Sequence, residues 1–338
     1  MKVAVDAMGG DKAPEVVVQG AVESAEELGV DITLVGDGDV ITGILGPHYP
    51  DDHIMVHHCH EVVGMSEPPL MAVRKKRNSS ISVAFDLVRR GEADAVVSAG
   101  NSGATLAAGV LTLGRLDGVD RPAIAGIIPA ERGSVVLIDV GANVDCRPAH
   151  LFQFGLMAQA FASACLHMED PKVGLLSIGE EGGKGNEQVL LARPLFEESK
   201  LNFVGNVEGR HISTGEVEVI VCDGFVGNVA LKLAEGLAGS LSRLVENELN
   251  TSFLWRVGRR LGLGSLERLK GKLDYEEYGG APLLGINGVG IICHGESSAK
   301  SLRNAIRLAV SYVNNRVLEK MTLKLKAWNG KSTSSRRG

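Results

Sequence analysis

The chain is organised around Ser177-Ile-Gly-Glu-Glu-Gly-Gly-Lys-Gly-Asn-Glu187. An apolar run, Val173-Gly-Leu-Leu176, precedes it and reads as a buried strand; the residues from Gln188 to Phe196 read as a helix. Gly179, Gly182, Gly183 and Gly185 let the backbone turn sharply and present its N–H groups. Successive N–H groups at such a turn, beside a helix N-terminus, form an anion site, and Lys184 adds a mobile positive charge. An ordinary glycine-rich loop with a solvated lysine would have the same composition. Recurrence of such turns along the chain separates the two readings.

Strands are expected at Lys2–Asp6, Ile32–Val35, Ile54–Val56, Ala93–Val97, Ile124–Ile128, Val135–Val140, Val217–Cys222 and Ile291–Cys293. Helices are expected over Pro14–Leu28, Ile81–Arg90, about Ala104 to Leu113, Ala149–Cys165, a long segment after Asn228, and a final one after Ser298. Alternation of this kind predicts an α/β fold, a three-layer α/β/α arrangement with a mostly parallel sheet. Turns follow strand ends at 6–11, 98–103, 139–145, 177–187, 223–228 and 294–298. Ligands of such folds bind beyond the carboxyl ends of strands, so these turns are expected to converge on one rim around a phosphate-containing ligand. The pattern gives one domain over 1–328, from which about 246–275 project as an amphipathic helical segment, and a polar disordered tail over 329–338.

With 338 residues and 44% of them hydrophobic, the chain can bury a sizeable core. A net charge of −6 argues against general nucleic-acid binding and makes any basic surface local. The five cysteines are scattered without a C-x-x-C pair, which predicts reduced thiols and a cytoplasmic protein. His57-His58-Cys59-His60 has metal-ligand composition, yet strand alternation lets no more than two residues share a face; no metal is expected there. Met1-Lys-Val-Ala-Val5 reads as the start of a strand, so no signal peptide is expected, and no run approaches membrane-span length.

Familiar phosphate motifs are absent. Met8-Gly-Gly-Asp11 and Gly36-Asp-Gly38 lack the dinucleotide spacing. Gly179 to Gly185 is one residue short of a P-loop and has Gly185 in place of the metal-binding hydroxyl, which disfavours nucleotide hydrolysis. Gly-x-Ser-x-Gly does not occur, and Cys146 and Cys222, which lie near these turns, both read as buried thiols.

Taken together, Asp6-Ala-Met-Gly-Gly-Asp11, Ser98-Ala-Gly-Asn-Ser-Gly103, Asp139-Val-Gly-Ala-Asn143, the 177–187 loop and Asp223-Gly-Phe-Val-Gly-Asn228 resemble the bacterial PlsX family of phosphate acyltransferases, in the same order, from residue 1 to about 320. Ser177 stands for a frequent asparagine, and Gly182–Gly183 for bulkier loop residues. The resemblance implies a fold similar to phosphate acetyltransferases and conversion of acyl-[acyl carrier protein] and inorganic phosphate to acyl phosphate and free carrier protein. It also implies a homodimer, no metal or organic cofactor, and delivery of product to a membrane glycerol-3-phosphate acyltransferase (PlsY-like) for phospholipid synthesis. Lys184 and Asn228 stand where the family carries its essential lysine and asparagine.

The chemistry is consistent with these residues. Phosphate is its own nucleophile and a thiolate leaves readily, so the protein must mainly bind phosphate, orient it and stabilise an oxyanion. Lys184 supplies charge; Asn228 supplies an amide donor or, as the alternative, a helix cap. Gly9, Gly10, Gly103, Gly183, Gly185 and Gly227 are expected to present backbone to substrate, with Asn101, Ser102 and Asn143 as donors or as turn residues only. Asp6, Asp139 and Asp223 repel phosphate and are expected to cap helices or orient the lysine. Arg74-Lys-Lys-Arg77 and the Arg256–Lys272 region are the basic candidates for docking an acidic carrier. Leu254, Trp255, Val257 and Leu261, among arginines, form a stripe suited to an anionic membrane surface or to a dimer interface. Peripheral membrane association is therefore expected. An acyl-CoA-dependent acyltransferase and a non-catalytic acyl or phosphate sensor are the competing readings.

Overall fold

A computed structural model describes residues 1–46, 52–251 and 275–335. The strands are Lys2–Asp6 (β1), Asp31–Gly36 (β2), Ile54–His58 (β3), Ala95–Ser98 (β4), Ala123–Pro129 (β5), Ser134–Ile138 (β6), Val173–Leu176 (β7), Phe203–Val207 (β8), Val219–Val221 (β9), Ala281–Leu284 (β10) and Gly290–Ile292 (β11). The helices are Glu15–Leu28 (α1), Gly38–Leu45 (α2), Pro69–Lys75 (α3), Ser80–Arg89 (α4), Ser102–Leu113 (α5), Pro148–Cys165 (α6), Glu187–Glu197 (α7), His211–Thr214 (α8), Gly224–Thr251 (α9), Ala299–Asn314 (α10) and Val317–Ser335 (α11).

All strands join one sheet in the order β3-β2-β1-β4-β11-β10-β5-β6-β9-β7-β8. Central strands such as Val135–Ile138 and Val219–Val221 are buried throughout, because helices cover both faces and leave no solvent side for a polar alternation. One face packs against α1, α6, α7, α10 and α11 through residues such as Val17, Phe152, Val189, Leu302 and Met321. The other packs against α3, α4, α5, α8 and α9 through Ala72, Phe85, Ala108, Ile212 and Leu231. The expected three-layer, mostly parallel α/β fold is thus what the chain forms. Close helix contact explains one interior glycine: a Cβ on Gly20 of α1 would lie 2.7 Å from the Ala299 carbonyl oxygen of α10.

One expectation about the sheet changes. The turn at residues 130–133 folds β5 and β6 into an antiparallel pair, closed by the Ala130 N–H donating to Gly133 O, and β10 runs antiparallel to both neighbours. The consequence is that β6, β9, β7 and β8 run opposite to β1–β4 and β11. The glycine-rich turns therefore do not share a single rim. They form two groups, one following β1, β4 and β11, the other following β6, β9 and β7.

The last helix also differs from expectation. α11 continues to Ser335, through most of the stretch read as tail, after Val317, Met321 and Leu325 anchor one side of it in the core. Most of the 246–275 segment, including Leu254, Trp255, Val257 and Leu261, lies outside the described residues; α9 carries the chain as far as Thr251.

Candidate active site

The second group of turns brings Lys184 and Asn228 to neighbouring strands. Lys184 sits in the loop between β7 and α7, and Asn228 near the start of α9, which follows β9 directly. Both side chains are exposed. Among the described residues the Lys184 side chain makes no ion pair or hydrogen bond, so its charge is open to a ligand. Asn186 caps α7, its Oδ1 accepting from the Val189 N–H at 2.9 Å. The cap of α9 is not Asn228 but Asp223, whose Oδ1 accepts from the Val226 N–H at 2.9 Å. Asn228 lies a turn further on, its amide next to Gly141, where a Cβ would approach Asn228 Oδ1 at 3.7 Å. That position relieves it of the capping role.

Asp139 is the keystone beneath this group. Fully buried, it accepts through Oδ1 from the N–H groups of Ile124, Gly141 and Ala142, and through Oδ2 from the N–H and the side-chain amide of Asn143. Burial pushes its pKa up, against the pull of these donors. Asn143 spends its remaining amide proton on Pro122 O at 2.7 Å, and its carbonyl accepts from the Gly224 N–H. Asn143, expected as a possible phosphate donor, is thus a fastening between turns. Gly227 is likewise a packing glycine, since a Cβ there would lie 1.8 Å from the Asp139 carbonyl oxygen. Gly183 is open, with no heavy atom within 4 Å of a Cβ, while Gly185 adopts φ +125°, a left-handed conformation that favours glycine.

The first group is also knit together internally. Asp6 is buried and accepts from the Ser98 hydroxyl at 2.7 Å; its Oδ1 has no partner, and burial raises its pKa. A Cβ on Gly9 would meet Asp6 Oδ2 and the backbone of Gly100, and one on Gly103 would meet the Pro69 ring. Gly10 has φ +118°. Asn101 caps α5 through Oδ1, from the Ala104 N–H, and donates its amide to Met65 O and Glu67 O. Ser102 remains exposed at the head of α5.

The other sequence candidates sort on similar grounds. Cys222 is buried with its pKa raised, and burial together with Asp139 and Asp223 pushes the Cys146 thiol up to about 12, so neither offers a thiolate near neutral pH. His58 Nδ1 accepts from the Gly38 N–H, which places the proton of the neutral ring on Nε2, facing His60 Nε2 at 2.9 Å. That tautomer has no free lone pair toward a metal, and among the described residues no cluster of three or more His, Cys, Asp or Glu is placed to hold one. Arg74, Lys75 and Arg77 are exposed, whereas Lys76 is held by Glu67 and Val62 O. A cavity of about 440 Å³ beside Lys2, Asp31, His57, Glu92 and Asp94 contains none of the expected site residues.

Asn206, whose amide donates to the backbone of the lysine loop, is a residue that sequence reading missed. It belongs to β8, a strand not expected from the sequence, and is almost wholly buried beside the lysine loop. The signal was an asparagine within Phe203-Val-Gly-Asn-Val207, a polar group where a strand would place an apolar one.

Comparison with known proteins places this geometry. The fold is that of a phosphotransacetylase from Streptococcus pyogenes, with TM-score 0.64 and 17% identity over 93% of this chain and 94% of that one. It is shared by a 4-hydroxythreonine-4-phosphate dehydrogenase from Klebsiella pneumoniae (TM-score 0.54, 15% identity, 93% of this chain and 99% of that one), so architecture alone does not select a chemistry. Sequence does. The family described as "Fatty acid synthesis protein" matches residues 1–320. A phosphate acyltransferase from Pelotomaculum thermopropionicum is 52% identical over 319 residues, covering 94% of this chain and 93% of that one. The chain belongs to this family, the PlsX phosphate acyltransferases, and is an acyltransferase.

Proposed function

We propose that the chain transfers an acyl group from acyl-[acyl carrier protein] to inorganic phosphate, giving acyl phosphate and the free carrier thiol for phospholipid synthesis. The observation that carries this reading is the placement of Lys184 and Asn228 on adjacent strand-end turns, both exposed, above the Asp139 carboxylate and Asn143 amide, which are bonded to each other and to the surrounding backbone. A phosphate oxygen attacks the thioester carbonyl carbon, the carbonyl oxygen takes the charge, and the C–S bond then breaks to release a thiolate. Lys184 balances charge on phosphate or oxyanion, and the Asn228 amide donates to the same oxygens. With Cys146 and Cys222 held as thiols, phosphate itself is the nucleophile.

Apolar side chains around these turns suit a fatty acyl chain. Val144, Ile178 and Phe225 are exposed, Ile178 at 83%, one on each of the turns. Both α5 and α9 pack on the same sheet face. Over the five steps from β4 to β9 a twist of roughly 20° per step turns the strand axes through about a right angle. That supports the exposed Ser102 and its turn as the far wall of one cleft.

The homodimer is supported by α9. Val229, Leu233, Leu237, Leu241 and Leu244 recur every three or four residues and are all exposed, an apolar row that a second copy would cover. No helix among the described residues is long and apolar enough to cross a membrane, so contact with an anionic bilayer, and delivery of product to a membrane acyltransferase, would be peripheral. The test is to incubate the protein with acylated carrier protein, with and without phosphate, and trap acyl phosphate with hydroxylamine. Trapped product only with phosphate is expected. Thiol release that ignores phosphate would make the protein a thioesterase, and turnover with acyl-CoA alone would replace the carrier protein as donor.

A further inference from the structure

We propose that Asn206 is a positioning residue for Lys184, acting through the backbone of the lysine turn; the inference rests on Lys184 being the cation of the acyl-transfer site. Asn206 lies on the edge strand β8, in register with Leu175 of β7, the strand that leads into the turn. Only 4% exposed, it points its amide into the turn rather than to solvent. One amide proton goes to Glu181 O at 3.0 Å and the other to Lys184 O at 2.9 Å. The Lys184 N–H closes the same turn on Glu181 O at 2.9 Å. A single side chain thus clasps both ends of the 181–184 turn.

The clasp matters because little else fixes the lysine. Among the described residues the Lys184 side chain has no polar partner, and the turn's glycines give its backbone wide freedom. Where the ammonium can reach is therefore set by the carbonyl to which Asn206 donates. Holding that amide there costs stability, because Asn206 Oδ1 is buried without a partner. The geometry points to a side chain whose amide sets the conformation of the turn.

The test uses Asn206→Leu, Lys184→Ala and the double variant in the full chain. A misplacement of about 1 Å in a catalytic group costs on the order of a hundredfold. Asn206→Leu is therefore expected to lower kcat for acyl phosphate formation by roughly ten- to a hundredfold, with a smaller change in the KM for phosphate. In the Lys184→Ala background the same substitution is expected to cost nothing further, since the group it positions is gone. Hydrogen exchange of peptides spanning 178–187 is expected to quicken in Asn206→Leu, whatever the substrate. Unchanged exchange with kcat within about twofold of the parent would overturn the proposal, as would an equal loss in both backgrounds. If Asn206→Leu does not fold, Asn206→Ser is judged by the same criteria. Failure of the parent itself to form acyl phosphate would refute the functional reading instead, and the exchange measurement would still decide the clasp.

Discussion

Gly227→Ala gives the sharpest test of how the site is held. A Cβ at this position would stand 1.8 Å from the Asp139 carbonyl oxygen and 2.9 Å from its carbonyl carbon, whereas real Cβ contacts essentially never fall under 3.0 Å. The obstacle is backbone on a strand end whose carboxylate is bonded to Ile124, Ala142 and Asn143, so it has no flexible tip to swing away. The start of α9 must move instead, by roughly 1 Å or more, and Asn228 is the next residue. Overpacking of this kind costs about 1–3 kcal/mol or more. At roughly 2–4 °C per kcal/mol for a chain of a few hundred residues, melting should fall by several degrees. Displacing the Asn228 donor by that distance should lower turnover on the order of a hundredfold. Gly183→Ala is the control: with open space around it, stability should stay within about 0.5 kcal/mol. Differential scanning calorimetry and the hydroxylamine assay measure both. A Gly227→Ala protein with parental melting and turnover would show that Asp139 and α9 are not in the contact described here.

Lys184→Ala and Asn228→Ala should each reduce turnover by about a hundredfold or more, as removal of one oxyanion donor typically does. Cys146→Ser and Cys222→Ser should keep most activity, and a trapped acyl-cysteine would defeat that expectation. Asp6 is buried with a raised pKa and one oxygen unpartnered, so the folded state binds more protons than the unfolded state between the two pKa values. Its stabilising contribution is then present at low pH and lost as pH rises from the unfolded value through the raised folded one; Asp6→Asn should raise melting at pH 8 more than at pH 4, and a uniform shift would argue against it. Leu241→Glu should convert a dimer to monomers in sedimentation, while a monomeric parent would remove the dimer from consideration.

Much of the site was legible as local sequence, because its parts are local structures. A strand is an apolar run, a turn is a cluster of Gly, Asn and Ser, and the helix that follows needs a cap; Asp223 and Asn186 fill that role within their own segments. Lys184 and Asn228 could be singled out for the same reason, together with the family resemblance. What the sequence did not determine was strand direction. The antiparallel β5–β6 pair depends on which strands meet, and it divides the turns into two groups where one was expected. Nor could sequence tell a ligand-binding asparagine from a structural one. Asn143 and Asn101 have compositions as suitable as that of Asn228, but their amides are spent on carbonyls 21 to 36 residues away. Asn206 escaped notice because its two acceptors lie 22 and 25 residues back along the chain. Hydrogen bonds between segments are fixed only when the chain has packed, and it is packing that decides which polar side chains remain free for chemistry.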